Sequence, residues 1–257
     1  MKKKIDYASF YGDFGIDSHE LASCRDPSVV VFFNERKKLF LRYFRKLERK
    51  KEKLNVLDVG CYTGKILFEL FKHEIKKHEY WGIDLNKESI RFCEQYSSSN
   101  LPPRFHFKII NLAEKGWGKK LNKKFDLIIF SEVIEHLYSK DQKTALEELA
   151  NLLSEEGILI ITCPNKSCLI KRFLRIFRNL KGSGGHVAEP SFSELKKIVK
   201  NFKIIKHKGL TFTYGHEKIG DSIFLMISLL ILNKIFSSFF PFWAFDQYVI
   251  LKKKPKY

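Results

Sequence analysis

Short apolar runs alternate with helix-like stretches along most of the chain, and this alternation is the main structural signal of the sequence. Two stretches, 65–72 and 87–96, carry apolar residues at helical spacing, and Ser97–Asn100 is expected to end the second. Continuous apolar runs of about four to eight residues are typical of strands buried on both faces. Such runs lie at Asn55–Val59, Tyr80–Asp84, Phe105–Ile110, Phe125–Phe130, Ile158–Thr162 and Phe202–Leu210. Strands that alternate with helices predict a parallel sheet covered by helices on both faces.

The chain before the first strand, residues 1–53, is expected to form an N-terminal arm that ends in a basic amphipathic helix. From Pro27 onward, apolar residues recur at roughly helical spacing, at Val30, Phe33, Phe40, Phe44 and Leu47. The other face is crowded with basic residues, namely Arg36, Lys37, Lys38, Arg42, Arg45, Lys46, Arg49, Lys50 and Lys51. This pattern predicts an amphipathic helix. We expect its apolar stripe to pack on the sheet and its charges to be solvated.

An unusually apolar segment, about 221–245, precedes the last predicted strand, Gln247–Leu251. Its first part, Ser222–Leu232, has eleven residues without a charge, and its second part, 235–245, is rich in phenylalanine. Each part is shorter than the roughly 20 apolar residues of a membrane-spanning helix. We expect a helical insertion buried against the sheet. An interfacial hairpin that contacts a membrane or a lipid substrate is the second possibility. A membrane-spanning segment is the third.

The charge balance favours an anionic partner. The chain has 47 Lys and Arg against 29 Asp and Glu, a formal net charge of +18. RNA, an acidic lipid surface or a phosphorylated substrate would fit this charge, and a solvated Lys-rich surface is the alternative. Five scattered cysteines do not suggest a disulfide framework. The N-terminus lacks the apolar region of a signal peptide, so we expect a cytoplasmic protein, with peripheral association at the inner membrane face as an option.

The stretch V-L-D-V-G-C-Y-T-G-K, residues 56–65, joins the first predicted strand to the first helix after it. A strand that turns through Gly60 and Gly64 into a helix leaves backbone N–H groups for a nucleotide-like ligand. The dinucleotide pattern G-x-G-x-x-G would put Tyr62 and Lys65 where glycines are needed, which argues against NAD. Asp58 is placed to face a cationic amino acid group instead. If Tyr62 must adopt a positive φ, that costs roughly 1–2 kcal/mol.

D-V-G-C-Y-T-G resembles motif I of class I S-adenosylmethionine (SAM) methyltransferases, D-x-G-x-G-x-G, with Tyr62 in place of the middle glycine. F-D-L-I-I-F-S-E-V-I-E-H-L, followed by L-L-S-E-E-G-I-L-I-I-T-C-P-N, is similar to the ubiquinone-pathway O-methyltransferase group. The resemblance covers roughly residues 50–210 and implies SAM as cofactor. Asp84, at the end of the second strand, is placed to bind both ribose hydroxyls. Asn111 stands where the family usually has an acid beside the adenine. The cofactor-binding residues implied are Asp58, Gly60, Cys61, Gly64, Asp84, Leu85, Asn111, Leu112 and Ser131.

Glu132, Glu135 and His136 follow the fourth predicted strand, at the edge where ligands bind in such sheets. Two carboxylates and an imidazole this close can hold a divalent cation such as Mg²⁺ or Mn²⁺. Plant-type small-RNA 2′-O-methyltransferases and catechol-methylating ubiquinone enzymes have the same arrangement, so the resemblance implies a metal that binds the acceptor hydroxyl. His186, in a glycine-rich loop, is a fourth candidate ligand. Without a metal, His136 and Glu135 would serve as base or substrate contact, and Glu132 would cap the next helix.

The sequence therefore predicts a doubly wound, Rossmann-like α/β domain over residues 54–257, with seven strands of which the last is antiparallel. The predicted function is SAM-dependent O-methylation of a small or lipid-linked acceptor. Methylation of an RNA 2′-hydroxyl is the second choice, because of the net charge and the Glu132–His136 cluster. A SAM-binding protein without catalysis is the third, because Tyr62 and Asn111 depart from the family pattern.

Overall fold

A computed structural model of the chain describes residues 27–168, 186–211 and 239–254, together with 231, 235 and 236. The first part of the predicted N-terminal arm (1–26), most of the glycine-rich loop before His186 (182–185) and most of the 221–245 insertion lie outside these residues. Among the helices that are described, none combines the length and apolar character needed to cross a bilayer. The division of the chain at residue 53 stays a prediction.

The described residues form one seven-stranded mixed sheet, which confirms the predicted fold class. The strands are β1 (Asn55–Val59), β2 (Glu79–Asp84), β3 (Phe105–Ile109), β4 (Phe125–Ser131), β5 (Leu153–Pro164), β6 (Phe202–Thr211) and β7 (Asp246–Lys253). Their spatial order is β3-β2-β1-β4-β5-β7-β6. Strands β1 to β5 pair in parallel, whereas β7 runs antiparallel to both β5 and β6. The chain reverses its direction of travel across the sheet between β1 and β4, where such sheets bind ligands.

Helices cover both faces of this sheet. They are α1 (Pro27–Glu48), α2 (Lys65–Lys72), α3 (Lys87–Asn100), α4 (Ser139–Leu152) and α5 (Phe192–Ile198). Successive residues of a central strand enter opposite layers: Leu127 packs with α1 to α3, and Ile128 packs with α4 and α5. Because both layers are apolar, the central strands read as continuous apolar runs rather than as alternating ones.

Helix α3 continues one turn beyond its predicted end. The hydroxyls of Ser97 and Ser98 donate to the carbonyls of Glu94 and Gln95, so they bond within the helix and do not end it. The helix ends at Asn100. Leu101, the next residue, has the extended backbone that is expected before a proline.

Helix α1 is fastened to the sheet at its C-terminal end by the buried carboxylate of Glu48. This carboxylate accepts hydrogen bonds from the backbone N–H groups of Ile75 (2.6 Å) and Lys76 (3.0 Å), from Nε2 of His78 (2.9 Å) and from Arg45 (2.9 Å). Nδ1 of His78 accepts from the backbone of Leu54, so Nε2 carries the proton. Burial raises the pKa of Glu48, but these hydrogen bonds outweigh it and lower the pKa to about 2.

We expect Glu48→Ala to lower the free energy of unfolding by roughly 2–3 kcal/mol, because it leaves buried donors without an acceptor. The ionised carboxylate stabilises the fold above its unfolded pKa of about 4.3, and this contribution is lost as the pH falls towards 2. Urea unfolding at several pH values measures both effects. Glu52→Ala, at a largely exposed side chain, is the control and should change stability by less than about 0.5 kcal/mol. Equal losses for the two variants would contradict the role of Glu48.

Candidate active site

The loop between β1 and α2 contains three residues with left-handed backbone conformations. Gly60 and Gly64 both have φ of 73°, and Tyr62 has φ of 47°. Tyr62 therefore has the positive φ that was considered in the sequence analysis, with its associated strain. Its backbone N–H donates to Oδ2 of Asp84 at 2.9 Å, so a hydrogen bond to a carboxylate offsets the strain.

Asp58 and Asp84 lie at the carboxyl ends of the adjacent strands β1 and β2. Asp58 is buried, and neither of its carboxylate oxygens has a hydrogen-bond partner among the described residues. Burial and, to a smaller extent, the charge of Asp84 raise the pKa of Asp58, Arg36 lowers it, and the result is a pKa of about 8. Asp84 accepts hydrogen bonds from the backbones of Tyr62 and Asn86. A buried, unpartnered carboxyl suits a cationic ligand group.

The other predicted cofactor residues differ in what they offer. The thiol of Cys61 is buried behind the loop, where a Cβ on Gly82 would lie 2.8 Å from the sulfur. Cys61 can therefore face a ligand through its backbone but not through its thiol. Asn111 uses its Oδ1 to accept from the N–H of Ala113 at 3.0 Å. Leu112 is buried, whereas Leu85 is 63% exposed.

Arg36 of α1 enters the site, which the sequence interpretation missed. Its Nη1 donates to Oγ of Ser131 (3.3 Å) and lies 3.9 Å from Oε1 of Glu132. Burial lowers the pKa of Arg36, while the charges of Glu132, Asp246, Glu135 and Asp58 raise it. The prediction of solvated charges is thus wrong for this residue. The sequence does contain a sign of this burial. Arg36 lies three residues after Phe33 and four before Phe40, which places it on the apolar stripe of the helix.

Glu135, His136 and His186 form a cluster that can hold a metal ion. One ligand atom from each residue lies within 4.8 Å of the others. Glu135 is buried, and its carboxylate oxygens have no hydrogen-bond partner among the described residues. Burial, and then the charge of Glu132, raises the pKa of Glu135 to about 9. Glu132 lies outside this group, and its role as a metal ligand stays a prediction. Its Oε1 accepts from Oγ1 of Thr162 at 2.7 Å.

The backbone brings His186 to the cluster. Residues 134–136 form a 3₁₀ turn after β4, and the carbonyl of Glu135 accepts from the N–H groups of Val187 (2.9 Å) and Ala188 (3.0 Å). The side chain of Gln142 donates to the carbonyls of Ile134 and Ala188 and so ties the same two segments together. Nδ1 of His186 bonds to Oε1 of Glu189 at 2.7 Å. A carboxylate on Nδ1 makes Nε2 the basic nitrogen, as in many metal sites.

Fold and site together define a protein of the class I methyltransferase type. Residues 50–209 match the family model described as "Methyltransferase domain", so the chain belongs to this family. The carboxy-S-adenosyl-L-methionine synthase of Campylobacter hominis is 23% identical over 160 residues, which are 60% of this chain and 64% of that protein. The match therefore spans less than two thirds of the relative's length.

Solved structures share the fold at low sequence identity. The small RNA methyltransferase HEN1 superposes with a TM-score of 0.60 and 15% identity over 87% of this chain and 25% of that one. Magnesium protoporphyrin IX methyltransferase from Synechocystis, with bound SAH, gives a TM-score of 0.58 at 15% identity over 88% and 87%. A SAM-dependent methyltransferase from Archaeoglobus fulgidus gives 0.54 at 20% identity over 96% and 100%. At these identities the likeness concerns the fold.

We expect Gly60→Ala to destabilise the protein by more than about 2 kcal/mol. A Cβ at Gly60 would need a positive φ and would lie 2.3 Å from Cγ2 of Val133, in the segment that leads to Glu135. Gly116→Ala is the matched control, since Gly116 has φ of 80° but its Cβ would meet open space among the described residues. Its loss should stay near 1 kcal/mol. Thermal unfolding compares the two, and equal losses would contradict the close packing.

Proposed function

We propose that this protein transfers the methyl group of SAM to a hydroxyl oxygen held at a metal ion. The observation that carries the proposal is the convergence of Glu135, His136 and His186 beside the Asp58–Asp84 edge. Methyl transfer requires the acceptor oxygen and the sulfonium methyl group to lie in line about 3 Å apart. Two adjacent sites, one for the cofactor and one for the acceptor, support such an alignment.

The cofactor roles follow from the geometry of the β1 and β2 ends. Asp58 receives the ammonium group of SAM, and Asp84 keeps acceptor capacity for the ribose hydroxyls beside its two backbone bonds. The backbone of Gly60 to Gly64 lines the amino acid end. Asn111, with Leu85 and Leu112, borders the adenine.

The ligand set favours a transition metal over Mg²⁺. Two imidazoles and one carboxylate are a ligand set of divalent transition metals, whereas Mg²⁺ prefers oxygen ligands. Of the two ions expected from the sequence, Mg²⁺ and Mn²⁺, this set favours Mn²⁺, and Mg²⁺ fits an arrangement in which Glu132 is also a ligand. A divalent cation held by Glu135, His136 and His186 would lower the pKa of an acceptor hydroxyl bound beside it, so that the hydroxyl could lose its proton to water. Without a metal, Glu135 and His136 would instead orient the acceptor and accept its proton.

A small or lipid-linked acceptor, as in the ubiquinone-pathway group, is supported by exposed aromatic side chains near the site. Phe239 is 75% exposed and Phe242 is 58% exposed. Asn165, which follows β5, donates to the carbonyls of Phe242 and Ala244 and fixes this segment at the carboxyl edge of the sheet. Exposed apolar side chains in one segment are typical of contact with a lipid or partner.

RNA is the second candidate acceptor, and a basic groove favours it. The groove lies between α3 and β3, has a volume of about 430 Å³ and includes Lys87, Arg91, Lys108 and Lys120 in its walls. It begins near Asp84 and Asn111, at the adenine end of the proposed cofactor site. One structural neighbour is a small RNA methyltransferase, and a net charge of +18 suits an anionic polymer.

We expect SAH binding at pH 7 to release nearly one proton, because Asp58 has a pKa of about 8 and must ionise to pair with the ammonium group. Affinity should rise up to about tenfold per pH unit from pH 6 towards 8, level off once Asp58 is ionised, and fall where the ligand amine loses its own proton. Calorimetry in buffers of different ionisation enthalpy measures the release. Asp58→Asn should abolish it and weaken binding by about tenfold or more. Binding without proton release in the wild type would refute this role.

The metal site is tested by titration with Mn²⁺, followed by electron paramagnetic resonance of the free ion. We expect Glu135→Gln, His136→Asn and His186→Asn each to weaken Mn²⁺ binding at least about tenfold. His73→Asn is the matched control, since His73 lies at the end of α2, and it should change affinity by less than about twofold. Failure of the wild type to bind either Mn²⁺ or Mg²⁺ would rule out the metal-assisted mechanism.

Transfer of labelled methyl groups from SAM, with and without Mn²⁺, then identifies the acceptor. Label in a lipid or small-molecule fraction supports the first candidate, and label in RNA supports the second. Binding to RNA through four basic residues should weaken about 50-fold between 50 and 200 mM salt, whereas capture of a lipid should not. SAH binding with no transfer to either fraction would identify a SAM-binding protein without catalysis.

A further inference from the structure

A chain of hydrogen bonds with a single direction links Arg36 to Glu132. Oγ1 of Thr162 donates to Oε1 of Glu132 at 2.7 Å. Its one proton is thereby used, so the 2.8 Å bond between Ser131 and Thr162 must be donated by Ser131. Arg36 in turn donates to Ser131 at 3.3 Å. The four groups form one polarised path from a buried cation to a carboxylate.

Arg36 also acts on Glu132 directly. Its Nη1 lies 3.9 Å from Oε1 of Glu132, and the side chains are only 11% and 22% exposed. An ion pair this sheltered is screened much less than a surface pair. Glu132 also has a positive φ of 54°, a backbone conformation that is uncommon for residues other than glycine. The same carboxylate is the one acidic group of the Glu132–His136 motif that lies outside the metal cluster.

We infer that Arg36, through Ser131 and Thr162, withholds Glu132 from the metal and so determines which metal the site selects. The inference rests on the proposed metal-assisted function and deepens it. With Glu132 held away, the protein offers two nitrogens and one oxygen, a set suited to Mn²⁺. Adding Glu132 would give two nitrogens and two oxygens with one more negative charge, which would strengthen divalent binding and favour oxygen-preferring ions such as Mg²⁺.

The decisive comparison is between two conservative variants, Glu132→Gln and Glu135→Gln, each titrated with Mn²⁺ and with Mg²⁺. We expect Glu135→Gln to weaken Mn²⁺ binding at least about tenfold, and Glu132→Gln to change it by less than about threefold. These variants leave Arg36 in place, so the test does not depend on the fold tolerating its loss. Near-ultraviolet circular dichroism checks that each variant is folded.

Arg36→Met then tests the withholding itself. We expect it to tighten Mg²⁺ binding about tenfold and to narrow the preference for Mn²⁺, and the double variant Arg36→Met/Glu132→Gln should lose this gain. Arg42→Met removes the same charge from the exposed face of α1 and is the matched control, with an expected change below about twofold.

The possible results distinguish failure of the metal-assisted function from failure of the role proposed for Arg36. If the wild type binds neither ion, the metal-assisted function fails, and the inference fails with it. If the wild type binds Mn²⁺ but Glu132→Gln weakens binding as much as Glu135→Gln, the metal site stands and Glu132 is a ligand, which overturns the inference. An unchanged metal preference in folded Arg36→Met overturns it as well.

Discussion

The burial of two carboxyl groups without hydrogen-bond partners, at the carboxyl ends of β1 and β4, is the constraint on which the site depends. Asp58 and Glu135 are both buried, and neither carboxyl has a hydrogen-bond partner among the described residues. Removing an ionised carboxylate from water without a partner is costly, and proteins respond by raising its pKa. Arg36 is a cation near both groups. The ligand-free site is thus prepared for cations, which a sulfonium nucleoside and a metal ion would both supply.

The loops around these carboxyl groups are held in place mainly by backbone contacts. Tyr62 keeps its left-handed conformation because its N–H bonds to Asp84. Gly60 is needed because Val133 fills the space beside it. Gln142 and the carbonyl of Glu135 hold residues 187 and 188 against the turn after β4. The loop after β1 therefore packs against the segment that carries Glu135 and His136.

The sequence was most informative where the chain follows a regular pattern. Continuous apolar runs predicted the strands because the sheet is covered on both faces, and the glycines after β1 marked the turn. The sequence was less informative where a side chain has an environment that is unusual for its residue type. Arg36 reads as one more basic residue of α1, and only its position on the apolar stripe distinguishes it. Glu132 fits the metal motif, but its partner Thr162 comes from another strand, and no local pattern reveals that contact. The serines at the end of α3 bond within the helix, which propensity alone does not indicate.

The fastening of α1 has a consequence for the evolution of the site. Glu48 and Arg36 lie on one rigid helix, twelve residues and therefore about 18 Å apart. Glu48 anchors the C-terminal end of this helix, and Arg36 lies near its middle, beside Ser131 and Glu132. Substitutions around Glu48 and His78 would change the tilt of the helix and so move the guanidinium group of Arg36. Residues distant from the carboxyl edge of the sheet can therefore alter the charge there while every residue at that edge stays the same.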